Sequence, residues 1–126
     1  MITEDYVSFE TAKLLKEKGF DDFTCHSYFY KNGDIEEETR YEGDFGRPTL
    51  QMAMKWLRKK GFHIFVPLEI DYDEDERGDK WYHNATYYPE IRRVSDGKIM
   101  YDDGSLYAKP EQACEVAIKY CLENLI

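Results

Sequence analysis

The amino-acid sequence predicts an α+β protein in which an antiparallel sheet of three to five strands carries about three helices, packed mainly on one face. Three observations lead to this prediction: an amphipathic helix at residues 48–62, alternating strand patterns on both sides of it, and hairpin turns of the type Asn-Gly at 32–33 and Asp-Gly at 96–97. Such turns join antiparallel strands. The length fits a single α+β domain over residues 1–126.

The central helix, at residues 48–62, has readable signals at both ends. Thr49 suits the N-cap position because its hydroxyl can accept a hydrogen bond from a free N–H of the first turn. Gly61 suits the left-handed residue that ends a helix, after which Phe62 can fold back on Leu57. The apolar side chains repeat with the helical period and form one wide stripe: Leu50, Met52, Ala53, Met54, Trp56 and Leu57. We expect this stripe to face the core.

A long strand is predicted directly after this helix, at residues 64–72. Alternate positions place five apolar side chains on one face: Ile64, Val66, Leu68, Ile70 and Tyr72. Pro67 lacks a backbone N–H, so a bulge or an outward-facing position is expected there. We expect the central helix, with Trp56 on its apolar stripe, to lie across this strand. It should cover Val66 and Leu68 and close off the interior.

The other elements follow from the same kinds of pattern. Ser8 suits the N-cap of a first helix that runs to about Lys18, and Pro110 begins an apolar last helix that should dock on the sheet. Runs of strand-forming residues separated by turns predict strands at 23–30, 80–88, 91–94 and 98–101. A polar edge strand is predicted from about residue 35. The expected order is α-β-(β)-α-β-β-β-α.

Composition limits the classes of function. The net charge is −9, which disfavours nonspecific nucleic-acid binding because that affinity comes from Lys and Arg. The longest apolar run is far shorter than the ~20 residues of a membrane span, and the acidic N-terminus lacks the regions of a signal peptide. We expect a cytoplasmic protein without membrane association. The three cysteines form no C-x-x-C pair and are expected to be reduced and buried.

Two groups of residues were candidates for binding a metal ion. Asp71, Asp73 and Asp75 begin like a calcium-binding loop, but Glu76 stands where such a loop needs Gly, and Tyr82 where it needs Glu. A solvated acidic turn is therefore favoured, with a cation site as the alternative. The histidines have no ligand-type spacing in the sequence: His26, His63 and His83. No metal ligand is predicted.

The sequence carries no catalytic or cofactor motif. It contains no G-x-S-x-G, P-loop or dinucleotide-binding glycine pattern. Most of its carboxylates lie in charge runs, where hydration explains them better than acid–base chemistry does. We therefore predict no catalytic residue and no cofactor, and an enzyme is the less favoured class of protein.

Tyrosine is used heavily, with eleven residues. Tyr and Trp are typical of protein interfaces, and Trp81, Tyr82 and Tyr88 are the candidates for an exposed interface on the strand pair. Two alternatives remain: an exposed sheet face that favours Tyr for its strand propensity, and aromatic side chains that stack on single-stranded nucleic acid beside Arg58, Arg92 or Arg93.

Several segments resemble a group of small uncharacterised proteins encoded by bacteriophages and mobile elements of gut bacteria of the Bacteroides type. The likeness covers most of the chain from residue 6 onward. It is carried by residues 6–20, Pro48-Thr49-x-x-x-Ala53-x-x-Trp56-Leu57-Arg58, Trp81-Tyr82 and the ending Ala117-Ile118-Lys119-Tyr120-Cys121-Leu122-Glu123-Asn124-Leu125. The resemblance implies a gene context and no functional residue.

The favoured function is a non-catalytic accessory module that binds another protein or associates with itself. The competing class is a nucleic-acid-handling accessory protein that uses Arg58, Lys59 and Lys60 at the end of the central helix. A small enzyme without a recognisable motif is the third class.

Overall fold

The computed structural model describes residues 5–21, 27–28, 35–36 and 45–126, with backbone only at 27–28, 35–36 and 45. The architecture is α+β with antiparallel strand pairing, as predicted. In chain order the elements are α1 Phe9–Glu17, β1 Ser27–Tyr28, β2 Ile35–Glu36, β3 Phe45–Gly46, α2 Leu50–Lys59, β4 Phe62–Phe65, β5 Leu68–Glu74, β6 Lys80–Tyr87, β7 Glu90–Arg93, β8 Ile99–Tyr101 and α3 Pro110–Tyr120, followed by a π-helical turn at Cys121–Leu125.

The ends of α2 confirm the sequence signals. The Thr49 hydroxyl accepts a hydrogen bond from the N–H of Met52 at 3.1 Å, and Gly61 has a φ of +106°, a conformation that glycine adopts without strain. Trp56 is only 9% exposed, and its ring meets that of Phe20 edge to face, with centroids 5.8 Å apart. The predicted inward face of the central helix is therefore confirmed.

The core lies between the three helices and the sheet β4-β7-β8. Ile64 of β4 pairs with Ile91 of β7, and both side chains are buried. The helices and the π-helical turn supply much of the remaining interior through fully buried side chains, which include Leu15, Leu57, Ile118 and Leu122. The predicted hairpin at 96–97 is confirmed: it joins β7 to β8, and the Asp96 carboxylate accepts a hydrogen bond from the N–H of Lys98 at 3.1 Å.

The single strand expected at residues 64–72 is wrong. The chain divides at Val66 and Pro67: β4 belongs to the core sheet, whereas β5, among the described strands, pairs only with β6. Pro67 has no N–H to continue a ladder, and its carbonyl accepts a hydrogen bond from the N–H of Tyr88 at 3.2 Å. The helix α2 therefore packs on β4, and Leu68, which it was expected to cover, is 52% exposed.

The first predicted hairpin is only partly within the described residues. β1 pairs antiparallel with β2, with Tyr28 opposite Ile35, and β3 pairs with the other side of β1. The turn at 32–33 and most of the strand predicted at 23–30 lie outside the described residues, as do Cys25 and His26.

Cys114 and Cys121 lie in the core, as expected for two of the three thiols. Burial raises the pKa of each thiol to about 12, with Glu115 adding to the effect at Cys114. Both thiols are therefore protonated at neutral pH and behave as small apolar side chains. Within the described part of the chain, every helix is too short or too polar to cross a bilayer.

Candidate functional site

The β5–β6 hairpin is the most exposed structured part of the chain among the residues whose burial is described. Every residue from 68 to 85 is exposed. The hairpin is held at its base, where Tyr87 and Tyr107 form an antiparallel bridge with N···O distances of 2.8 and 2.7 Å. A two-stranded ribbon alone is marginally stable in water, so the attachment at the base matters for the stability of this hairpin.

One side of this ribbon carries large apolar side chains. Direct cross-strand partners share a face, so Tyr72 lies beside Tyr82, and Ile70 lies beside Ala85. These two pairs are two residues apart in β5 but three apart in β6. The register shift between them accommodates the extra residue of β6, so both pairs lie on the same side. We call the resulting surface the apolar face. It consists of four side chains with exposed fractions between 43% and 65%: Leu68, Ile70, Tyr72 and Tyr82.

The opposite side of the ribbon is acidic. The alternation along β5 places Glu69, Asp71 and Asp73 there, and we call these three residues the acidic face. Trp81 is the partner of Asp73 in β6. The Asp73 carboxylate lies 2.6 Å from Nε2 of His83, in an exposed pair. The hairpin therefore has two chemically distinct sides.

The turn that closes the hairpin is organised by a carboxylate. Asp75 accepts hydrogen bonds through Oδ1 from the N–H groups of Arg77 and Asp79, both at 2.9 Å. Gly78, with a φ of +87°, donates its N–H to the Asp75 carbonyl at 3.1 Å. The third aspartate of the calcium-like pattern thus binds its own turn. Nowhere in the described residues do three or more His, Cys, Asp or Glu side chains form a group that could hold a metal ion.

The charge of the hairpin is strongly unbalanced. Residues 68–87 contain seven carboxylates and two cationic side chains, a net charge of −5 out of the −9 of the whole chain. Of the carboxylates, five form no ion pair and no side-chain hydrogen bond with the described residues: Glu69, Asp71, Glu74, Glu76 and Asp79. A strong negative potential therefore surrounds the apolar face.

The three predicted interface residues lie on this hairpin or directly after it, but they do not form one surface. Trp81 and Tyr82 are exposed, as expected, yet they are neighbours in a strand and point to opposite sides. Tyr88 follows β6 and is half-buried. Tyr82 instead meets Tyr72, with ring centroids 5.8 Å apart.

Sequence reasoning missed the other members of the apolar face. It assigned Leu68, Ile70 and Tyr72 to the core because alternating apolar residues usually face an interior. Two signals could have separated them from Ile64: Pro67 between the two halves, and the carboxylates that occupy every second position after it.

A second surface, beside α2, is cationic. A hollow of about 380 Å³ lies between α2 and β4, and the described residues that line it include no carboxylate: Gln51, Met52, Met54, Lys55, Arg58, His63 and Ile64. Lys55 and Arg58 form no ion pair with the described residues. The Nζ atom of Lys60 lies 5.0 Å from the centre of the Trp56 ring.

A third arrangement joins α1 to α3. Glu115 accepts hydrogen bonds through Oε1 from the N–H of Ser8 at 2.9 Å and from the hydroxyl of the fully buried Thr11 at 2.6 Å. One turn earlier, Oε2 of Glu111 is buried and has no hydrogen-bond partner among the residues that the structure describes. Both carboxylates line an open groove of about 550 Å³. Because Glu115 satisfies the start of α1, its evident role is to connect two helices.

The fold and the β5–β6 hairpin together define the class: an α+β protein whose core carries an exposed hairpin with one apolar and one acidic side. No protein-family model, curated protein or solved structure matches this chain. The resemblance to proteins of phages and mobile elements stays a prediction.

Proposed function

We propose that this chain is a non-catalytic accessory protein, of the type that phages and mobile elements encode, and that it binds another protein through the apolar face of its β5–β6 hairpin. The observation that carries the proposal is the exposure of four large apolar side chains on one side of a two-stranded ribbon. Exposed apolar patches on soluble domains mark interaction sites.

Burial of this face would supply binding energy in the usual way. Each large apolar side chain contributes roughly 1.5 to 3 kcal/mol when it is fully removed from water, and Tyr is common among the residues that dominate interface energies. Tyr72 and Tyr82 form a tilted pair with ring centroids 5.8 Å apart. The two rings therefore offer a partner one joint aromatic surface.

The shifted pKa values have structural explanations and do not require catalysis. The hydrogen bond from Arg93 lowers the pKa of Asp96 to about 2, and this pair closes the β7–β8 turn on the surface. Partial burial is the main cause that raises the pKa of Tyr101, and the hydrogen bond that its hydroxyl donates to Asp103 is the second. These groups do not converge on a common cleft with a nucleophile, which supports a binding role over an enzymatic one.

Site-specific photo-crosslinking tests the proposal. A benzophenone amino acid replaces Tyr82 in one variant and Val94, another exposed residue but outside the hairpin, in the control. In extracts of the source organism, we expect a discrete protein adduct from position 82 and none from position 94. Equal adducts from both positions, or no adduct from position 82, would contradict the proposal.

A matched pair of substitutions adds a second readout. Ile70→Ser removes an apolar side chain from the apolar face, whereas Ile99→Ser removes one of similar exposure from β8. We expect Ile70→Ser to abolish the adduct formed from position 82 and Ile99→Ser to leave it intact. The reverse order would show that the hairpin is not the contact surface.

A second candidate function, nucleic-acid handling, is supported by the cationic hollow beside α2. Its cations lie on a chain that is otherwise acidic and have no carboxylate beside them among the described residues that line the hollow. Fluorescence anisotropy with single-stranded DNA and RNA tests this candidate. Affinity that falls steeply with salt and is lost in Arg58→Glu would favour it, and absence of binding at low salt would remove it.

A further inference from the structure

We infer that the partner is a second protein that adds an extended segment, with apolar and basic residues in alternation, to the outer edge of β5. This inference rests on the proposed function and specifies the chemistry of the partner. Three features of the hairpin carry it: the alternation along β5, the side chains opposite its carboxylates, and the edge that is open.

The alternation along β5 is two-sided. Leu68, Ile70 and Tyr72 point to the apolar face, and the residues between and after them form the acidic face: Glu69, Asp71 and Asp73. A strand added beside β5 also points alternate side chains to the two faces. The segment that complements both faces therefore alternates apolar residues with Lys or Arg.

The hairpin itself does not neutralise the acidic face. In β6, Thr86 stands opposite Glu69, and Trp81 stands opposite Asp73. Asp71 lies at the register shift, where no direct partner is paired with it. His83 contacts Asp73, but neither Lys nor Arg occupies a position opposite the acidic face. Opposite charges across a strand pair are stabilising. A third strand beside β5 could therefore place Lys or Arg next to the carboxylates of the acidic face.

The two edges of the hairpin are not equivalent. The outer edge of β6 is occupied at its base by the bridge between Tyr87 and Tyr107. The outer edge of β5 forms no backbone bridge with the described residues. Unpaired N–H and C=O groups of an edge strand are a template for a further strand, so the added segment belongs beside β5.

A second copy of this chain does not fit the same edge. Pairing of β5 with another β5 would place the carboxylates of two acidic faces next to one another, and like charges across a strand pair are destabilising. Each hairpin also carries a net charge of −5. The charge pattern therefore selects a basic partner over self-association.

Peptide titration monitored by backbone NMR tests the inference with defined probes. The first probe is a short synthetic peptide that alternates Val and Lys, and the second alternates Val and Glu. The third has the Val and Lys residues of the first in two separate blocks. We expect the alternating Val–Lys peptide to bind and to shift the amide signals of residues 68–74. Equal binding of the Val–Glu or of the block peptide would overturn the inference.

Charge-neutral variants provide the matched control. Glu69→Gln with Asp71→Asn should weaken binding of the Val–Lys peptide by about fivefold, as expected for two lost cross-strand ion pairs. Glu17→Gln with Asp21→Asn removes the same charges from an exposed region at the end of α1 and should leave the affinity unchanged. Equal effects of both pairs would mean that only net charge matters, which overturns the placement beside β5.

Failure of this inference can be told apart from failure of the proposed function. If position 82 crosslinks to one protein but the affinity for that protein is insensitive to Glu69→Gln with Asp71→Asn, the basic segment is wrong and the hairpin remains the contact surface. If sedimentation shows a dimer that Ile70→Ser dissociates, a second copy is the occupant and the inference is overturned. Absence of any adduct from position 82 removes the proposed function itself.

Discussion

Tyr72 and Tyr82 lie directly opposite each other across the β5–β6 pair, with their ring centroids 5.8 Å apart on the exposed side of the ribbon. Lys80 extends over the same surface, with its Nζ atom 4.6 Å from the centre of the Tyr72 ring. In a folded domain such an aromatic pair usually lies against a core, whereas here both rings face solvent. This exposed pair is the part of the apolar face on which the proposed binding function rests.

Removal of one ring of this pair should affect binding far more than global stability. We expect Tyr82→Ser to lower the free energy of unfolding by no more than about 1 kcal/mol, the scale of an exposed aromatic pair, and to abolish capture of the partner. Urea denaturation measures the free energy of unfolding, and pull-down of the partner protein measures its capture. Loss of several kcal/mol in the free energy of unfolding would show that the hairpin belongs to the cooperative core.

The exposure of Leu68, which α2 does not cover, can be tested by comparison with a buried leucine of α2 itself. Leu57 is fully buried in α2, whereas Leu68 is exposed in β5. We expect Leu57→Ala to lower the free energy of unfolding by about 2 to 5 kcal/mol because it leaves a cavity. We expect Leu68→Ala to change it by less than about 0.5 kcal/mol, as for exposed sites. Similar values for the two variants, measured by urea denaturation, would place Leu68 under α2 after all.

The contact between α1 and α3 is testable with a nearly isosteric change. In Thr11→Val, the Glu115 carboxylate loses a hydrogen bond while the buried volume is kept. The free energy of unfolding should fall by about 1 to 3 kcal/mol, as expected for a hydrogen bond to a charged group. Thr86→Val removes a hydroxyl that reaches only the exposed Glu69 carbonyl at 3.3 Å and should have a much smaller effect.

Thiol chemistry reports on the core. Because burial raises the pKa of Cys114 and Cys121 to about 12, we expect iodoacetamide to modify neither at pH 8 in the folded Cys25→Ser variant, and both after unfolding. Mass spectrometry measures the modification. Rapid modification of the folded protein would show that one of these thiols is exposed.

The same thiols predict how stability depends on alkaline pH. Their pKa values are higher in the folded state than the ordinary value of 9.0, so the unfolded chain releases protons first as pH rises. The thiols therefore stabilise the fold fully below about pH 9, and this contribution declines between about pH 9 and pH 12. Replacement of both cysteines by Ala should flatten the stability curve measured by denaturation over this range.

Local sequence signals determined the helices and one hairpin of this protein. Thr49 and Gly61 act on the backbone groups beside them, so the limits of α2 could be read from the residues alone. The Asp-Gly turn at 96–97 likewise needs only its own residues. Burial of Trp56 followed from its position on the apolar stripe of that helix.

Only the tertiary structure decided which alternating segment has a core to face. Ile64 and Ile70 occupy equivalent positions in one apolar alternation, yet the first is buried under the helices and the second is exposed on the hairpin. A period of two residues shows that one side of a strand differs from the other, but it does not show what covers that side. The contact between Thr11 and Glu115, 104 residues apart, has no local signal for the same reason: such pairings arise when elements pack, and packing depends on the whole chain.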